Sequence, residues 1–476
     1  MRWLTTALLV YFGLRLLFFA LKISSSVPPD EVTHFAVSRI FSKVFLLPEN
    51  SPETYQYGLV TTIPWLYYWI MGKLLHLNFF GIHDLVFLRL CNIPFAFGTV
   101  YFAWRTLRLL TDDRLTQLLL IIAMTNTVMF SFLSASVSYD NLTNLLAAMS
   151  IYYLLAFFCN RSGTLLAASF LCQLVGCLMK PTFLPLVLVL MVILLANEFK
   201  KLRLLPSALS SWFRPSGRYS LCLTFGIVIG LVFNLQLYGG NIFNYRNLTP
   251  DMEVVLSPEI AMKYRTQARN MIFTMFKEGK VTKKKALEMT TIISHKGDRD
   301  NTVGLIEDFD FQIKSGEPVI SPLEYIPIWV ETMCAGVFGV FAHLPMPITE
   351  FKIFLVIGLM GLAGLAFLIR WRPRETGWLP AYLGVIAAFY AIFLMYVVNY
   401  RTYLDYRSIW LSLQGRYIFP VIGPIYVLSS CYLMRLFSGR SWRLAVFVAV
   451  ALFFIISDFP FFLSSVTSNW FIWPSG

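Results

Sequence analysis

Long apolar segments separated by short polar connections run through most of the chain. Eleven of them approach the roughly 20 apolar residues that a helix needs to cross a bilayer. These segments are 4–23, 84–104, 115–134, 141–159, 164–179, 182–197, 219–238, 351–369, 378–398, 417–434 and 442–461. The pattern predicts an all-α polytopic membrane protein with about 11 transmembrane helices.

Composition agrees with this pattern and excludes other classes. Of the 476 residues, 57% are hydrophobic and 14% are charged, whereas a soluble domain carries roughly 25% charged residues. A soluble globule this apolar could not cover its surface with polar groups. The seven cysteines include no CxxC pair and no Cys/His cluster, so neither a zinc site nor a disulfide framework is predicted.

Two of the segments have unusual features. Pro181 lies between 164–179 and 182–197 and breaks the helix, so this pair is predicted to form a tight hairpin. The first segment is longer than the core of a typical signal peptide and is predicted to remain as a helix. Arg15 lies near its middle and is predicted to face the bundle interior, because a charge is costly in lipid.

Basic residues in the short connections predict the orientation of the chain. With a cytoplasmic amino terminus, the connections predicted to lie inside carry most of the Lys and Arg residues. These are Arg105, Arg108, Arg114, Arg161, Lys200, Lys201, Arg203, Arg214, Arg218, Arg370, Arg372, Arg374, Arg435, Arg440 and Arg443. The net charge of +13 is therefore mainly a topological signal, and no nucleic-acid partner is needed to explain it.

Two outer connections are longer than turns. The first, 24–83, has a polar start and an aromatic stretch around Trp65, which predict interfacial helices; 59–77 is predicted to lie flat, since a span there would invert every later connection. In the second, the polar stretch 251–322 predicts a small cap, and 323–347 predicts a re-entrant or surface-lying segment. The predicted division is 1–238, an N-terminal transmembrane module; 239–350, an extracytoplasmic cap; and 351–476, a C-terminal transmembrane module.

Ionisable and polar residues collect at the outer ends of the predicted helices. Each has an ordinary alternative: Asp30 and Asp140 could cap helices, Lys180 could extend to the interface, and the tyrosines could belong to an aromatic belt. Gly415 permits a close backbone approach beside Arg416. The convergence of these residues on one membrane face predicts a polar cavity open to that face. The residues that converge there are Asp30, Glu31, His34, Asp140, Lys180, Tyr403, Arg407, Gln414, Arg416 and Tyr417.

A carboxylate beside several cations suits displacement at a carbon that carries a phosphate leaving group. The carboxylate deprotonates an acceptor hydroxyl, and Arg and Lys stabilise the charge that develops on the departing phosphate. A lipid tail on that phosphate would account for a site at the membrane surface. These residues predict sugar transfer from a polyprenyl-linked donor.

Four segments in order from residue 28 to residue 420, PPDEVTHF, SYDN, MKPTFLPL and LQGRYIFP, carry a resemblance to a known family. They resemble the GT-C class of integral membrane glycosyltransferases, in particular a bacterial branch with PPDE-x-x-H and GRY-x-x-P elements and no assigned substrate. The resemblance implies a GT-C-like bundle with interfacial helices in the first outer loop. It also implies an inverting, polyprenyl-phosphate-sugar-dependent transferase of the bacterial cytoplasmic (inner) membrane, acting on the extracytoplasmic side.

The resemblance assigns roles to particular residues. Asp30 is the implied general base, with Glu31 as a second catalytic carboxylate. Some members of the class bind a divalent cation at such a pair, so the resemblance leaves open whether one binds here. Donor-phosphate contacts are expected from Lys180, Arg416 and Arg407. Substrate contacts are expected from His34, Asp140, Tyr403, Gln414 and Tyr417. The expected partners are a polyprenyl-phosphate sugar donor, membrane lipids, and a glycolipid or glycan acceptor of the cell envelope.

Two other functions compete with this interpretation. A lipid-linked oligosaccharide ligase or polymerase would use a diphosphate donor and similar arginines, and the sequence does not separate it from a transferase. A flippase or transporter would place ionisable residues near the midplane, often in related halves. Here the clear midspan charge is Arg15, and no symmetry between halves is visible in the sequence.

Overall fold

The computed structural model describes residues 2–198, 218–294, 296–340, 342, 344–346, 348–411 and 413–473. Across these residues the chain is helical, and its only extended pairings are two isolated β-bridges. The prediction of an all-α protein is therefore confirmed.

Most of the helices follow one another with short connections, but 23 residues separate α2 from α3. The first nine are α1 Arg2–Lys22, α2 Glu31–Ser42, α3 Leu66–Leu75, α4 Asp84–Arg108, α5 Arg114–Thr125, α6 Val128–Ser134, α7 Tyr139–Asn160, α8 Gly163–Cys177 and α9 Leu184–Glu198. The next eight are α10 Arg218–Asn234, α11 Gly240–Tyr245, α12 Met252–Val255, α13 Pro258–Ala261, α14 Arg265–Lys277, α15 Lys283–Met289, α16 Lys296–Ser315 and α17 Tyr325–Phe338. The last seven are α18 Glu350–Arg370, α19 Pro373–Thr376, α20 Leu379–Phe393, α21 Arg401–Tyr406, α22 Ile422–Arg435, α23 Arg440–Ser457 and α24 Phe459–Ser465.

Short 3-10 and π segments continue several of these helices. The 3-10 segments are Pro181–Phe183, Thr290–Ile292, Gly415–Val421 and Ser468–Phe471, and the π segments are Leu235–Gly239 and Leu394–Tyr400.

Nine helical stretches of the described chain are long and apolar enough to cross a membrane, and the bent pair α5 and α6 makes ten if it is one span. The chain is therefore a multi-pass membrane protein. The predicted segment 164–179 corresponds to α8, whose 15 residues extend only about 22 Å, short of the roughly 30 Å hydrocarbon core. The predicted count of about 11 spans is therefore not confirmed, since the described residues contain nine or ten.

The predicted segment 115–134 is broken, with a bend of 64° between α5 and α6. The side chains of Thr125, Asn126 and Thr127 lie at this bend. They donate hydrogen bonds to the carbonyls of Ile121, Ile122 and Ala123, at 2.7, 2.9 and 2.8 Å. Such side-chain bonds compete with the helical ladder, and the carbonyl of Ile122 also accepts a hydrogen bond from the backbone of Asn126 at 2.9 Å.

Arg15 faces the bundle interior, as the sequence predicts. Its side chain is buried in an ion pair with Asp458, and its Nη2 donates to the carbonyl of Thr125 at 2.6 Å. The midspan charge is therefore neutralised where α5 breaks.

Ion pairs join the connections that the sequence places on the inner side. Arg443 at the start of α23 is 2.7 Å from Asp113 before α5, and Arg161 after α7 pairs with Glu198 at the end of α9. The predicted inner residues Lys200, Lys201, Arg203 and Arg214 lie outside the described residues. Which side of the membrane this end faces stays a prediction.

The stretch 59–77 does not form a span, because its only helix, α3, has 10 residues. This helix packs closely on α2 through Gly72. A Cβ atom at Gly72 would lie 2.7 Å from the backbone of both Ser38 and Ser42, so a larger residue would separate the two helices. The pair is thereby held as one unit after the carboxyl end of α1.

Helices α14, α15 and α16 share a small apolar cluster of their own within the predicted cap. Its buried members include Ile272, Phe273 and Ile306, and Tyr406 of α21 packs against it. The predicted boundaries of the cap stay a prediction.

Candidate active site

Four charged side chains from four separate segments meet at one end of the bundle. These are Asp30 before α2, Asp140 in α7, Lys180 before α9 and Arg416 before α22, called here the charged cluster. Lys180 Nζ is 2.6 Å from Asp140 Oδ1, and Arg416 Nη2 is 2.6 Å from Asp30 Oδ2. Arg416 Nη1 is 3.6 Å from the second oxygen of Asp140. Two carboxylates thus balance two cations.

Asp30 is the exposed member of the charged cluster. Its backbone is in the left-handed region, at φ 57°, and its side chain makes no capping bond to α2. An aspartate tolerates this conformation better than most residues, and its carboxylate is directed at Arg416. The side chain is 51% exposed, against 2% for Arg416, so a substrate can reach Asp30. Helix capping therefore does not account for this residue.

Asp140 is not the cap of α7 either. That position belongs to Ser138, whose side chain accepts a hydrogen bond from the backbone of Asp140. The Asp140 carboxylate is left for Lys180 and Arg416, and it is buried with them. In the structure it contacts both cations.

Lys180 is buried at the turn between α8 and α9 and does not extend to the interface. Its ammonium lies 4.8 Å from the ring centre of Tyr139 and 4.6 Å from that of Tyr417, a favourable placement for a cation. The ring of Phe183 lies against Gly176, where a Cβ would come within 2.3 Å of it. Burial lowers the pKa of Lys180, and Asp140 opposes that shift.

Arg416 depends on the glycine before it, as the sequence predicts. A Cβ at Gly415 would lie 2.1 Å from the backbone of Gly336 in α17, so only glycine fits there. Gln414 accepts a hydrogen bond from Arg416 Nε at 2.7 Å. Within the described chain, Nη1 has no hydrogen-bond partner although it is buried. A guanidinium so placed can donate a hydrogen bond to an anionic oxygen.

His34 lies beside the charged cluster, one helical turn after Asp30. Its Nδ1 is 3.0 Å from the hydroxyl of Tyr68, and its ring meets that of Tyr139 edge-on at 4.5 Å. Burial lowers the pKa of His34 to about 4, so the imidazole is neutral at ordinary pH. Among the described residues, its Nε2 has no hydrogen-bond partner.

Glu31, expected beside Asp30 as a catalytic group, is directed elsewhere. Both carboxylate oxygens accept hydrogen bonds from Arg89, one also accepts from the backbone of Val137 at 2.8 Å, and both side chains are fully buried. Arg89 also donates to the carbonyls of Ala20 and Ile23. This geometry gives Glu31 a structural role, and it does not fit a divalent cation shared with Asp30.

Two further expected residues lie apart from the charged cluster. Tyr403 accepts a hydrogen bond from the backbone of Ile320 and stacks on Tyr325 at 5.8 Å, as part of an aromatic group. The backbone carbonyl of Arg407 accepts a hydrogen bond from Gln312 of α16, beside the cap helices. The structure therefore brings Asp30, His34, Asp140, Lys180, Gln414, Arg416 and Tyr417 together, and places Glu31, Tyr403 and Arg407 in other surroundings.

Sequence reasoning assigned no role at this site to Arg89, Tyr68 or Tyr139. Arg89 left a signal, since it is a charge within the predicted span 84–104, where a charge needs a partner. Tyr139 belongs to the SYDN segment, whereas nothing in the sequence distinguishes Tyr68 from the many other aromatic residues of the chain.

The chain resembles solved membrane-protein structures at low sequence identity. No family model matches the chain, and no curated protein matches it. Similar solved structures include ArnT from Cupriavidus metallidurans in the apo state, with 14% identity, a TM-score of 0.37 and coverage of 90% of this chain and 77% of that one. The same protein bound to undecaprenyl phosphate gives the same identity and TM-score, with coverage of 90% and 78%. A TM-score this low transfers neither a residue role nor a substrate, so the interpretation rests on the geometry of the site.

Proposed function

We propose that this protein is a membrane glycosyltransferase that moves a sugar from a polyprenyl-phosphate donor to a hydroxyl of a cell-envelope glycolipid or glycan. The observation that carries the proposal is a half-exposed carboxylate, Asp30, next to two buried cations, Arg416 and Lys180. A base and an anion-binding pair at one end of an apolar bundle suit a substrate whose phosphate bears a lipid tail.

The transfer is an in-line displacement with inversion. Asp30 takes the proton of the acceptor hydroxyl while that oxygen bonds to the anomeric carbon of the sugar. The bond from that carbon to the phosphate oxygen breaks, and its electron pair stays on the phosphate. Arg416 and Lys180 stabilise the added negative charge.

A proton acceptor within the charged cluster keeps the net charge of the cluster constant, and Asp30 is its exposed carboxylate. The charged cluster is neutral before a donor binds, because two carboxylates balance two cations. A bound phosphodiester adds one negative charge. During transfer the phosphate gains a second negative charge while Asp30 loses its own by protonation. The net charge of the buried site is then unchanged along the reaction, which avoids the cost of burying an additional charge.

Release of Asp30 from Arg416 is part of the same proposal. A donor phosphate that binds Arg416 competes with Asp30 for the guanidinium, now held at 2.6 Å. Binding of the donor therefore frees the carboxylate to act as a base.

The proposed site faces the extracytoplasmic side of the bacterial inner membrane. This assignment is supported by the basic residues of the connections at the opposite end, since such residues favour the cytoplasm. A reporter fused after Gly476 is expected to be extracytoplasmic. A cytoplasmic readout would contradict the proposed orientation.

The deciding experiment measures binding of undecaprenyl phosphate to the detergent-purified protein by native mass spectrometry. Arg416→Gln is expected to weaken binding roughly 10- to 100-fold, the effect of losing a charge-assisted hydrogen bond. Arg416→Lys, which retains the charge, should bind with intermediate affinity. Arg401→Gln is the matched control, because Arg401 is an exposed arginine at the start of α21.

The same assay separates the competing interpretations. Unchanged affinity in Arg416→Gln would exclude the phosphate role of Arg416. Weaker binding in Arg407→Gln would support the donor-phosphate contact that is expected for Arg407 from the sequence. A strong preference for polyprenyl-diphosphate oligosaccharides over monophosphate sugars would favour the ligase or polymerase.

A further inference from the structure

His34 and Tyr68 form an uncharged pair that the proposed transfer step does not use. Each is only 3% exposed, and His34 Nδ1 lies 3.0 Å from the Tyr68 hydroxyl. The second ring nitrogen, Nε2, is buried and has no hydrogen-bond partner in the described part of the chain. An unpaired polar atom in such a place is costly, so its presence calls for a ligand.

The pairing with Tyr68 decides which nitrogen of His34 carries the proton. A neutral imidazole has one N–H and one acceptor nitrogen. Burial raises the pKa of Tyr68, so its phenol keeps its proton and can donate it. A phenol is a better donor than a neutral imidazole, and an imidazole nitrogen is a better acceptor than a phenol oxygen. The favoured bond therefore runs from Tyr68 to Nδ1, which puts the ring proton on Nε2.

The surroundings of His34 indicate which part of a substrate this N–H meets. On one side His34 follows Asp30 by one helical turn, with a backbone bond of 2.9 Å between them. On the other side its ring touches Tyr139, whose face carries the Lys180 ammonium. His34 thus lies between the proposed base and a proposed phosphate-binding cation. During transfer, the group between these two is the sugar.

We infer that Tyr68 holds His34 in the tautomer with the proton on Nε2, and that this N–H donates to a hydroxyl oxygen of the transferred sugar. The inference rests on the proposed function. His34 then contributes to sugar specificity, while Tyr68 is a positioning residue that acts through it.

The tautomer can be observed without any assay of activity. The chain has five histidines, so nitrogen-15 histidine NMR gives few signals, and His34→Gln assigns those of His34. We expect a protonated Nε2 and an unprotonated Nδ1 in the wild type, and a mixture of tautomers in Tyr68→Phe. Tyr67→Phe is the matched control, because this neighbouring buried tyrosine donates to Asn92 instead.

Two NMR results would overturn the tautomer assignment. One is a protonated Nδ1 in the wild type. The other is a Tyr68→Phe spectrum that is identical to the wild-type spectrum at His34.

Sugar recognition is tested by comparing bare undecaprenyl phosphate with a panel of undecaprenyl-phosphate hexoses. His34→Gln should weaken binding of the tightest sugar-bearing lipid about tenfold and leave the bare lipid unchanged, since a single hydrogen bond is lost. His76→Gln is the control, because its Nε2 lies 2.9 Å from the carbonyl of Ser42 and away from the cluster.

The outcomes separate this inference from the proposed function. Equal weakening of bare and sugar-bearing lipids would show that His34 acts on the phosphate and would overturn the inference alone. A wild-type protein that binds no hexose lipid more tightly than the bare lipid would overturn it as well. A wild-type protein that binds neither lipid would overturn the proposed function, while NMR would still decide the tautomer.

Discussion

Asp30 and Glu31 are neighbours in sequence, yet the fold gives them opposite surroundings. Asp30 is half exposed and contacts Arg416, whose Nη1 makes no hydrogen bond within the described part of the chain. Glu31 is fully buried, and both of its oxygens are occupied by Arg89. One carboxylate is available to a substrate, and the other ties the amino terminus of α2 to α4.

The comparison teaches that buried charge serves two purposes at this end of the bundle. The Glu31–Arg89 pair connects the end of α1, the start of α2 and the turn before α7, so it fixes where Asp30 and Asp140 lie. The charged cluster is less completely paired, which leaves it able to exchange a protein contact for a ligand contact.

The largest effect is expected from removing the proposed base, Asp30. Asp30→Asn should lower the transfer rate about 10²- to 10⁴-fold, the usual contribution of a positioned general base. Undecaprenyl-phosphate binding should remain, because Arg416 and Lys180 are intact. The measurement is turnover of a lipid-linked sugar by the purified protein. Full activity of this variant would exclude Asp30 as the base.

The paired carboxylate should respond in stability. Glu31→Ala leaves the Arg89 charge buried without a partner and should reduce the free energy of unfolding by about 3–5 kcal/mol, measured by denaturation in detergent. The double variant Glu31→Leu with Arg89→Met should recover much of this loss, since no charge then remains buried. A single variant as stable as the wild type would contradict the structural role of Glu31.

The stability of the protein should depend on pH through His34, which lies beside the charged cluster. The pKa of His34 is about 4 in the folded protein and about 6.5 in the unfolded chain. Between these values the unfolded chain binds more protons, so stability is complete above pH 6.5 and falls as the pH drops toward 4, by roughly 3 kcal/mol.

The groups that act electrostatically on His34 are Asp30, Asp140, Lys180 and Arg416. His34→Gln, compared with the wild type at pH 7 and pH 5, should lose less stability on acidification. An equal loss in the two proteins would contradict the neutral state of His34.

The smallest effect is expected from Asp140, the buried carboxylate of the charged cluster. Asp140→Asn removes the carboxylate that competes with a phosphate for Lys180 and Arg416. The cluster becomes positive, so undecaprenyl phosphate should bind about tenfold more tightly. Calorimetric titration would measure the change. Weaker binding in this variant would mean that Asp140 positions the two cations and does not compete with the phosphate.

Particular residues show how far prediction from sequence extends. Arg15 was predicted to face inward because a lone charge in lipid needs a partner, and the structure supplies Asp458. The sequence does not predict the bend between α5 and α6, because the apolar stretch 115–134 is long enough to be one span. Glu31 was grouped with Asp30 because sequence adjacency does not tell which way each side chain points.

The sequence by itself determined that the chain spans a membrane many times, because the length and polarity of a segment decide whether it can enter lipid. It also predicts that Asp30, Asp140, Lys180 and Arg416 lie at one end of the bundle, where the structure brings them together. The tertiary structure decides which of those charges are fully occupied by each other and which can still contact a ligand. Pairing depends on a few ångströms between segments far apart in the chain, such as the 2.6 Å between Asp30 and Arg416, and these distances follow from helix packing.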